Sequence, residues 1–207
     1  SSSLVAAKRK KLSAMQILFY STKHSFEIIC FALVSVCMIL LNKAVVLYFP
    51  CVTQLLIFQS IFTVLAILVF QNNVLSQENH FRKIVGWFPL ACLFYFNLFS
   101  SLQSMLYISV ETFSVLRCLQ PCTSLPLDFL LFQKVPNVYA TFFLAIIFVG
   151  TLMYYLNDLQ FDMDGYTWAL LHNISMSLYL ASVKLHSDKY QLSSTVMSFY
   201  NNILAIP

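Results

Sequence analysis

Three observations predict an all-α polytopic membrane protein. The 207-residue chain is 59% hydrophobic and only 10% charged, where a soluble domain carries about 25% charged residues. Its apolar residues fall into runs of about 20, the length a bilayer requires, and not into the alternating segments of a β-barrel. Its basic residues outside the apolar runs occupy alternate connections only. Backbone polar groups in hydrocarbon must be satisfied within their own segment, so such runs are helices.

The elements follow in order. Residues 1–25 form a polar, basic tail with Lys8-Arg9-Lys10-Lys11 and Lys23, ahead of a transmembrane domain over 26–207. Phe26–Tyr48 is the first span, stopped by Phe49-Pro50, because proline lacks an N–H and cannot continue a helix. Val52–Phe70 is the second span, and Gln71–Lys83 is a polar loop. Val85–Ile108, Phe113–Phe132 and Val138–Leu156 are the third, fourth and fifth spans. After the acidic loop Asn157–Gly165 comes the sixth, Tyr166–Leu185, and Ser194 opens a seventh that stops at Pro207. The sequence thus predicts six full transmembrane helices and the start of a seventh. A chain that ends on proline inside an apolar segment is expected to be cut at its C-terminus, within helix 7, and the start on Ser without Met suits a cut at the N-terminus as well. The run at 26 is too long for a signal peptide and lacks a small-residue cleavage site.

Orientation follows from the basic residues. Five lie in the N-terminal tail; Arg82, Lys83, Lys134, Lys184 and Lys189 fall in the loops on the same side. The opposite side holds acids, Asp158, Asp162, Asp164 and Glu111, which makes the N-terminus cytosolic. The net charge of +4 reads as a topology signal and contact with acidic membrane lipid, not as nucleic-acid binding. Cys30, Cys37, Cys51, Cys92, Cys118 and Cys122 lie in or beside apolar runs, which argues against a disulfide scaffold. Cys118 and Cys122 share a helical face with no accompanying His, so no zinc site is expected.

Ionisable residues at membrane depth are costly and face cavities or partners. Two cations remain inside the spans, Lys43 beside Asn42 in helix 1 and Arg117 in helix 4. Ser114, Arg117, Pro121, Ser124 and Asp128 recur at three- and four-residue steps, which is one polar face. Pro121 and Pro126 are expected to kink that helix or to free carbonyls. Trp168, His172, Ser175, Tyr179 and Ser182 mark a face of helix 6, and Asn97, Ser100, Ser101 and Ser104 one of helix 3. Gln54, Gln59 and Thr63 do so less regularly in helix 2. Such residues bond helices to one another; converging with two cations, they also suit a water-filled path for an anion.

The most informative stretch is Phe199-Tyr200-Asn201-Asn202, where two aromatics precede two carboxamides in an apolar segment. An aromatic ring and a donor–acceptor pair together suit a nucleobase, one by stacking and the other by matching its polar edge. An Asn at such a place also suits a helix cap. Asp162-Met163-Asp164 opens a helix, where acids complement the dipole. Asn173-Ile174-Ser175 has the glycosylation pattern but lies inside a span. There is no nucleophile–base set, no Gly-rich phosphate loop and no cofactor or metal motif, which reads against an enzyme.

With these residues in view, the chain resembles the nucleotide-sugar transporters of the drug/metabolite transporter superfamily (solute carrier 35 type), from helix 1 to Pro207. The resemblance rests on Leu41-Asn42-Lys43, on Thr112-Phe113-Ser114-Val115-Leu116-Arg117, on Phe161-Asp162-Met163-Asp164-Gly165-Tyr166 and on Phe199-Tyr200-Asn201-Asn202. The last run is similar to the one that contacts guanine in GDP-mannose transporters; the helix 4 and helix 6 segments equally resemble the branch that carries UDP-glucuronic acid and UDP-N-acetyl sugars. The resemblance implies ten helices in two inverted five-helix repeats, the first over about 26–156 and the second beginning over 166–207. It implies a Golgi or ER membrane and exchange of a cytosolic nucleotide sugar for a lumenal nucleoside monophosphate. It implies a substrate site of Phe199, Tyr200, Asn201, Asn202, Arg117, Lys43 and Asn42, without cofactor, and allows a homodimer. GDP-mannose is the favoured substrate and a UDP-sugar the alternative. A further alternative is a truncated, non-transporting protein that assembles with or regulates a complete transporter.

Overall fold

A computed structural model describes residues 2–70, 80–133, 137–159, 161–190 and 193–206, with side chains described for 25–70, 86–133, 137–159, 161–186 and 193–206. The side chains of Lys8, Arg9, Lys10, Lys11, Lys23, Arg82, Lys83, Lys134 and Lys189, used above for orientation, lie outside those described. The described residues form eight α-helices: α1 Ser2–Tyr48, α2 Val52–Phe70, α3 His80–Tyr107, α4 Val110–Arg117, α5 Gln120–Phe132, α6 Val138–Asn157, α7 Met163–Tyr190 and α8 Ser194–Leu204. Four segments are long and apolar enough to cross a membrane, namely Ser25–Tyr48, Val52–Phe70, Gly86–Tyr107 and Val138–Asn157. The chain is therefore an all-α protein of membrane-spanning character. It divides into two compact units, Ser1–Asn42 and Lys43–Pro207.

The fourth expected span is two helices rather than one. Pro121 lies in the first turn of α5. In an uninterrupted helix its ring would meet the carbonyl four residues back, that of Arg117. The chain avoids this with a tight turn: Cys118 N donates to Val115 O at 3.1 Å and Leu119 N to Leu116 O at 3.0 Å. Pro126, by contrast, is carried inside α5. The break also splits the polar face expected over 114–128. Ser114 bonds back to Val110 O and Ser124 to Pro121 O, while Asp128 pairs with Lys184 of α7 at 3.0 Å.

Helix α7 is the spine of the second unit, packing most extensively on α3 and then on α5. The reason lies in five residues at four-residue steps, Gly165, Ala169, Asn173, Ser177 and Ala181, all buried. Small side chains let helix backbones approach closely where lipid gives no hydrophobic drive to association. Polar groups finish the seam. Ser104 Oγ donates to Gly165 O at 3.0 Å, His172 Nδ1 meets Asn97 O at 3.1 Å, and Asn97 Nδ2 donates to Met176 Sδ at 3.4 Å. On the α5 side, Thr123 and Ser177 hydroxyls meet at 2.7 Å.

Two apolar clusters complete the packing. Val46, Val52, Leu56 and Leu102 join the end of α1 to α2 and α3. Val64, Trp87, Leu90, Val196, Phe199 and Tyr200 join α2, α3 and α8. The buried face of α2 is Val52, Leu56, Ser60 and Val64, four apart and so on one side. The expected polar residues of this helix lie elsewhere: Gln54 is exposed, and Thr63 bonds back to Gln59 O.

Candidate functional site

Helix α8 begins where Ser193 caps it, its hydroxyl accepting from Val196 N at 3.4 Å. Val196, Phe199, Tyr200 and Ile203 recur at three and four residues, the spacing of one helical face, and this face enters the Trp87 cluster. Tyr200 and Trp87 are 0% exposed. The helix therefore carries Asn201 and Asn202 into the interior, at 3% and 8% exposure.

Both ends of the Asn201 carboxamide are engaged. Trp87 Nε1 donates to Asn201 Oδ1 at 2.8 Å, and Asn201 Nδ2 donates to Tyr179 Oη at 2.6 Å. Tyr179 in turn packs on Phe94, with ring centroids 5.5 Å apart. One amide thus ties α8 to α3 and α7. Asn202 bonds within its own helix, its Nδ2 donating to Ser198 O at 2.8 Å. Phe199 and Tyr200 sit beside each other, centroids 6.2 Å apart.

The cations lie elsewhere. Lys43 Nζ donates to Met105 O and to Ile108 O at 3.0 Å, so it caps carbonyls at the end of α3, where the helix dipole favours a cation. Trp87 and Met105 are 18 residues apart on α3, or about 27 Å at 1.5 Å per residue. The structure therefore does not bring Lys43 and Asn201 together. Arg117 ends α4 and is exposed. The preceding carbonyl, Leu116 O, accepts from Asn173 Nδ2 at 2.8 Å; Asn173 is six residues from Tyr179, about 9 Å along α7. Asn42 ends the first compact unit and is half-buried. Replacing Lys43 with methionine is expected to destabilise the fold by about 1–3 kcal/mol, since the carbonyls of Met105 and Ile108 lose a charged donor. Thermal melting in detergent checks this, and a melting curve matching wild type would remove Lys43 from the structural account.

A second polar cluster escaped the sequence reading. Tyr166 Oη donates to Asp158 Oδ2 at 2.6 Å, Thr112 Oγ1 donates to the same oxygen at 3.3 Å, and Thr112 Oγ1 meets Tyr154 Oη at 2.9 Å. Nearby in the chain, the backbone amide and the Ser109 hydroxyl hold the Glu111 carboxyl below the usual carboxylate range. Asp162 serves as a helix cap, its Oδ1 accepting from Gly165 N at 3.0 Å. Asn173 lies buried in α7, and its Oδ1 has no hydrogen-bond partner among the described residues.

Two cavities border these helices. One of about 300 Å³ lies among α4, α6 and α7 and is lined by Leu116, Phe148, Tyr155, Tyr166 and Leu170 with their neighbours. The other, of about 560 Å³, lies among α2, α3 and α8 beside Ile57, Phe88, Tyr95 and Leu204. Neither lining includes Phe199, Tyr200, Asn201, Asn202, Lys43 or Arg117.

Comparison with known proteins places the chain among similar sequences. It is 28% identical to the GDP-mannose transporter GONST3 of Arabidopsis thaliana over 170 residues, covering 81% of this chain and 46% of that protein. It is 24% identical to GDP-fucose transporter 1 of Arabidopsis thaliana over 182 residues, 86% of this chain and 53% of that protein. It is 23% identical to UDP-galactose/UDP-glucose transporter 7 of Arabidopsis thaliana over 193 residues, 86% and 56% of the two chains. The chain thus resembles nucleotide-sugar transporters over most of its length, and it spans about half the length of the curated relatives it matches. No family model matches it. No solved structure matches it.

Proposed function

We propose that this chain is part of a nucleotide-sugar antiporter that moves a cytosolic nucleotide sugar, GDP-mannose in first place, into the Golgi lumen in exchange for a nucleoside monophosphate. One observation carries the reading: a chain similar to GDP- and UDP-sugar transporters over four-fifths of its length places a tandem carboxamide, Asn201–Asn202, in its interior. Asn201 and Asn202 read the base edge, and Phe199 and Tyr200 pack beside it. Arg117 draws the diphosphate. The N-terminus is cytosolic. The first five-helix repeat covers about 26–156, the second begins over 166–207, and the whole transporter has ten helices. Rocking of one repeat against the other then moves substrate across without covalent chemistry.

The test is counterflow with the full-length protein in liposomes. Vesicles are loaded with GMP or UMP and offered labelled GDP-mannose or UDP-N-acetylglucosamine. GMP-driven uptake of GDP-mannose is expected. UMP-driven uptake of the UDP-sugar instead moves the substrate to the other branch. No exchange from folded protein overturns transport and leaves the assembly role. Asn201→Ala is expected to lower uptake about tenfold or more, since a buried polar contact to the base is lost; unchanged uptake refutes base reading by this residue.

A further inference from the structure

The Asn201 carboxamide is held at both ends, and the two holders differ in one chemical respect. An indole N–H is a donor only, whereas a phenolic hydroxyl donates or accepts. The 2.8 Å contact from Trp87 Nε1 therefore admits only the amide oxygen, and the amide nitrogen is left to face Tyr179 at 2.6 Å. Tyr179 alone would accept the amide either way round. Trp87 alone decides its polarity. A carboxamide has capacity beyond these two contacts, with a second lone pair on oxygen and a second hydrogen on nitrogen. That remaining pair has the same polarity that the indole imposes.

We infer that Trp87 is a positioning residue that fixes the polarity of the Asn201 carboxamide, and that this polarity selects the class of nucleobase accepted. The inference rests on the proposed base-reading role of Asn201. Guanine and uracil present a ring N–H beside a carbonyl. Diaminopurine and cytosine have the same outlines but present a bare ring nitrogen beside an amino group. With ribose and phosphates anchored elsewhere, a base meets the amide in one orientation only. An amide held one way round pairs with one class and sets donor against donor and acceptor against acceptor in the other. Without the indole N–H, the amide turns over about its last torsion, which is broad and roughly two-fold. Both classes are then accepted. Asn201 is buried here, so the inference requires that a base reach the amide while the indole contact at 2.8 Å is kept.

The test uses the full-length protein and two pairs of monophosphates, GMP against its 2,6-diaminopurine analogue and UMP against CMP. Each pair differs only in the polarity of one base edge. Binding is measured by competition against a labelled nucleotide. In wild type, the lactam member is expected to bind at least about tenfold tighter within one pair. Trp87→Phe is expected to bring that ratio to about threefold or less, because the polar mismatch is no longer enforced. Tyr179→Phe is expected to weaken both members and keep the ratio. A Trp87→Phe ratio equal to wild type overturns the positioning role, because a packing defect alone weakens both members together. Should Trp87→Phe not fold, benzothienylalanine placed at position 87 by nonsense suppression removes only the N–H and must give the same loss of ratio. Binding with an unaltered ratio refutes the role of Trp87 alone. Absence of binding by all four nucleotides to folded wild type removes the base-reading function as well.

Discussion

Trp87→Ala is expected to leave little folded protein after heating that wild type survives. Trp87 is 0% exposed and packs with Val64, Leu90, Val196, Phe199 and Tyr200. Truncation of a buried Trp typically costs about 3–5 kcal/mol. In a bilayer the apolar transfer contribution falls away, because lipid is as apolar as the core. The lost packing contacts and the void remain. The Asn201 oxygen also loses its 2.8 Å donor, and an unpaired buried acceptor costs about 1–3 kcal/mol. Measured polar contacts between membrane helices average about 0.6 kcal/mol, so the cavity dominates, and about 3 kcal/mol in total is expected. Size-exclusion profiles after a temperature series in detergent measure it. Phe62→Ala is the comparison, since Phe62 is 75% exposed on α2 and its loss leaves no void. Equal survival of the two variants would show that α8 does not depend on the Trp87 cluster.

The parts of this fold that were legible from sequence are those set by local chemistry. The apolar run after Pro50 became α2, Val52–Phe70, with the expected bounds. The fifth span became α6, Val138–Asn157, one residue longer than expected, capped by Asn137 accepting from Tyr139 N at 3.3 Å. Hydropathy sees such runs because their signal lies within one segment. The break at Cys118–Leu119 was not legible as a break. Proline in a membrane helix is compatible with a kink, as at Pro126, or with a new start, as at Pro121, and the choice depends on what satisfies the freed groups. Here Asn173 of α7 satisfies Leu116 O.

The seam of α7 was half legible for a related reason. Reading polar residues picked out Trp168, His172, Ser175, Tyr179 and Ser182. His172 and Ser175 are indeed buried, but the run facing neighbours most closely is Gly165, Ala169, Asn173, Ser177 and Ala181. Glycine and alanine carry no polar signal, so their role shows only once a neighbouring backbone is seen against them. The partner of Asn201 was beyond reach. The carboxamide itself stood out, yet Trp87 lies 114 residues away in the chain, and nothing local marks an indole as its donor.

Gly165→Ala and Gly150→Ala are expected to act in opposite directions, although the substitution is the same. Both glycines lie in helices, where alanine is favoured by about 1 kcal/mol over glycine. A Cβ at Gly150 would meet nothing within 4 Å, so that gain stands alone and Gly150→Ala is neutral or stabilising. A Cβ at Gly165 would lie 2.5 Å from Ile108 Cγ2 and 2.8 Å from Tyr107 Cβ. The second atom is the first of its side chain and moves only with the backbone of α3. The helices must therefore part at the point where Ser104 Oγ reaches Gly165 O at 3.0 Å. Overpacking of this kind costs about 1–3 kcal/mol, which outweighs the propensity gain, and the loss of the Ser104 contact adds to it. Gly165→Ala is thus expected to melt below wild type in detergent and Gly150→Ala at or above it. If both melt together, the close approach of α3 and α7 is not what fixes their packing. If Gly165→Ala alone falls, a further substitution to leucine there must fall more steeply, because the added volume has no direction in which to yield.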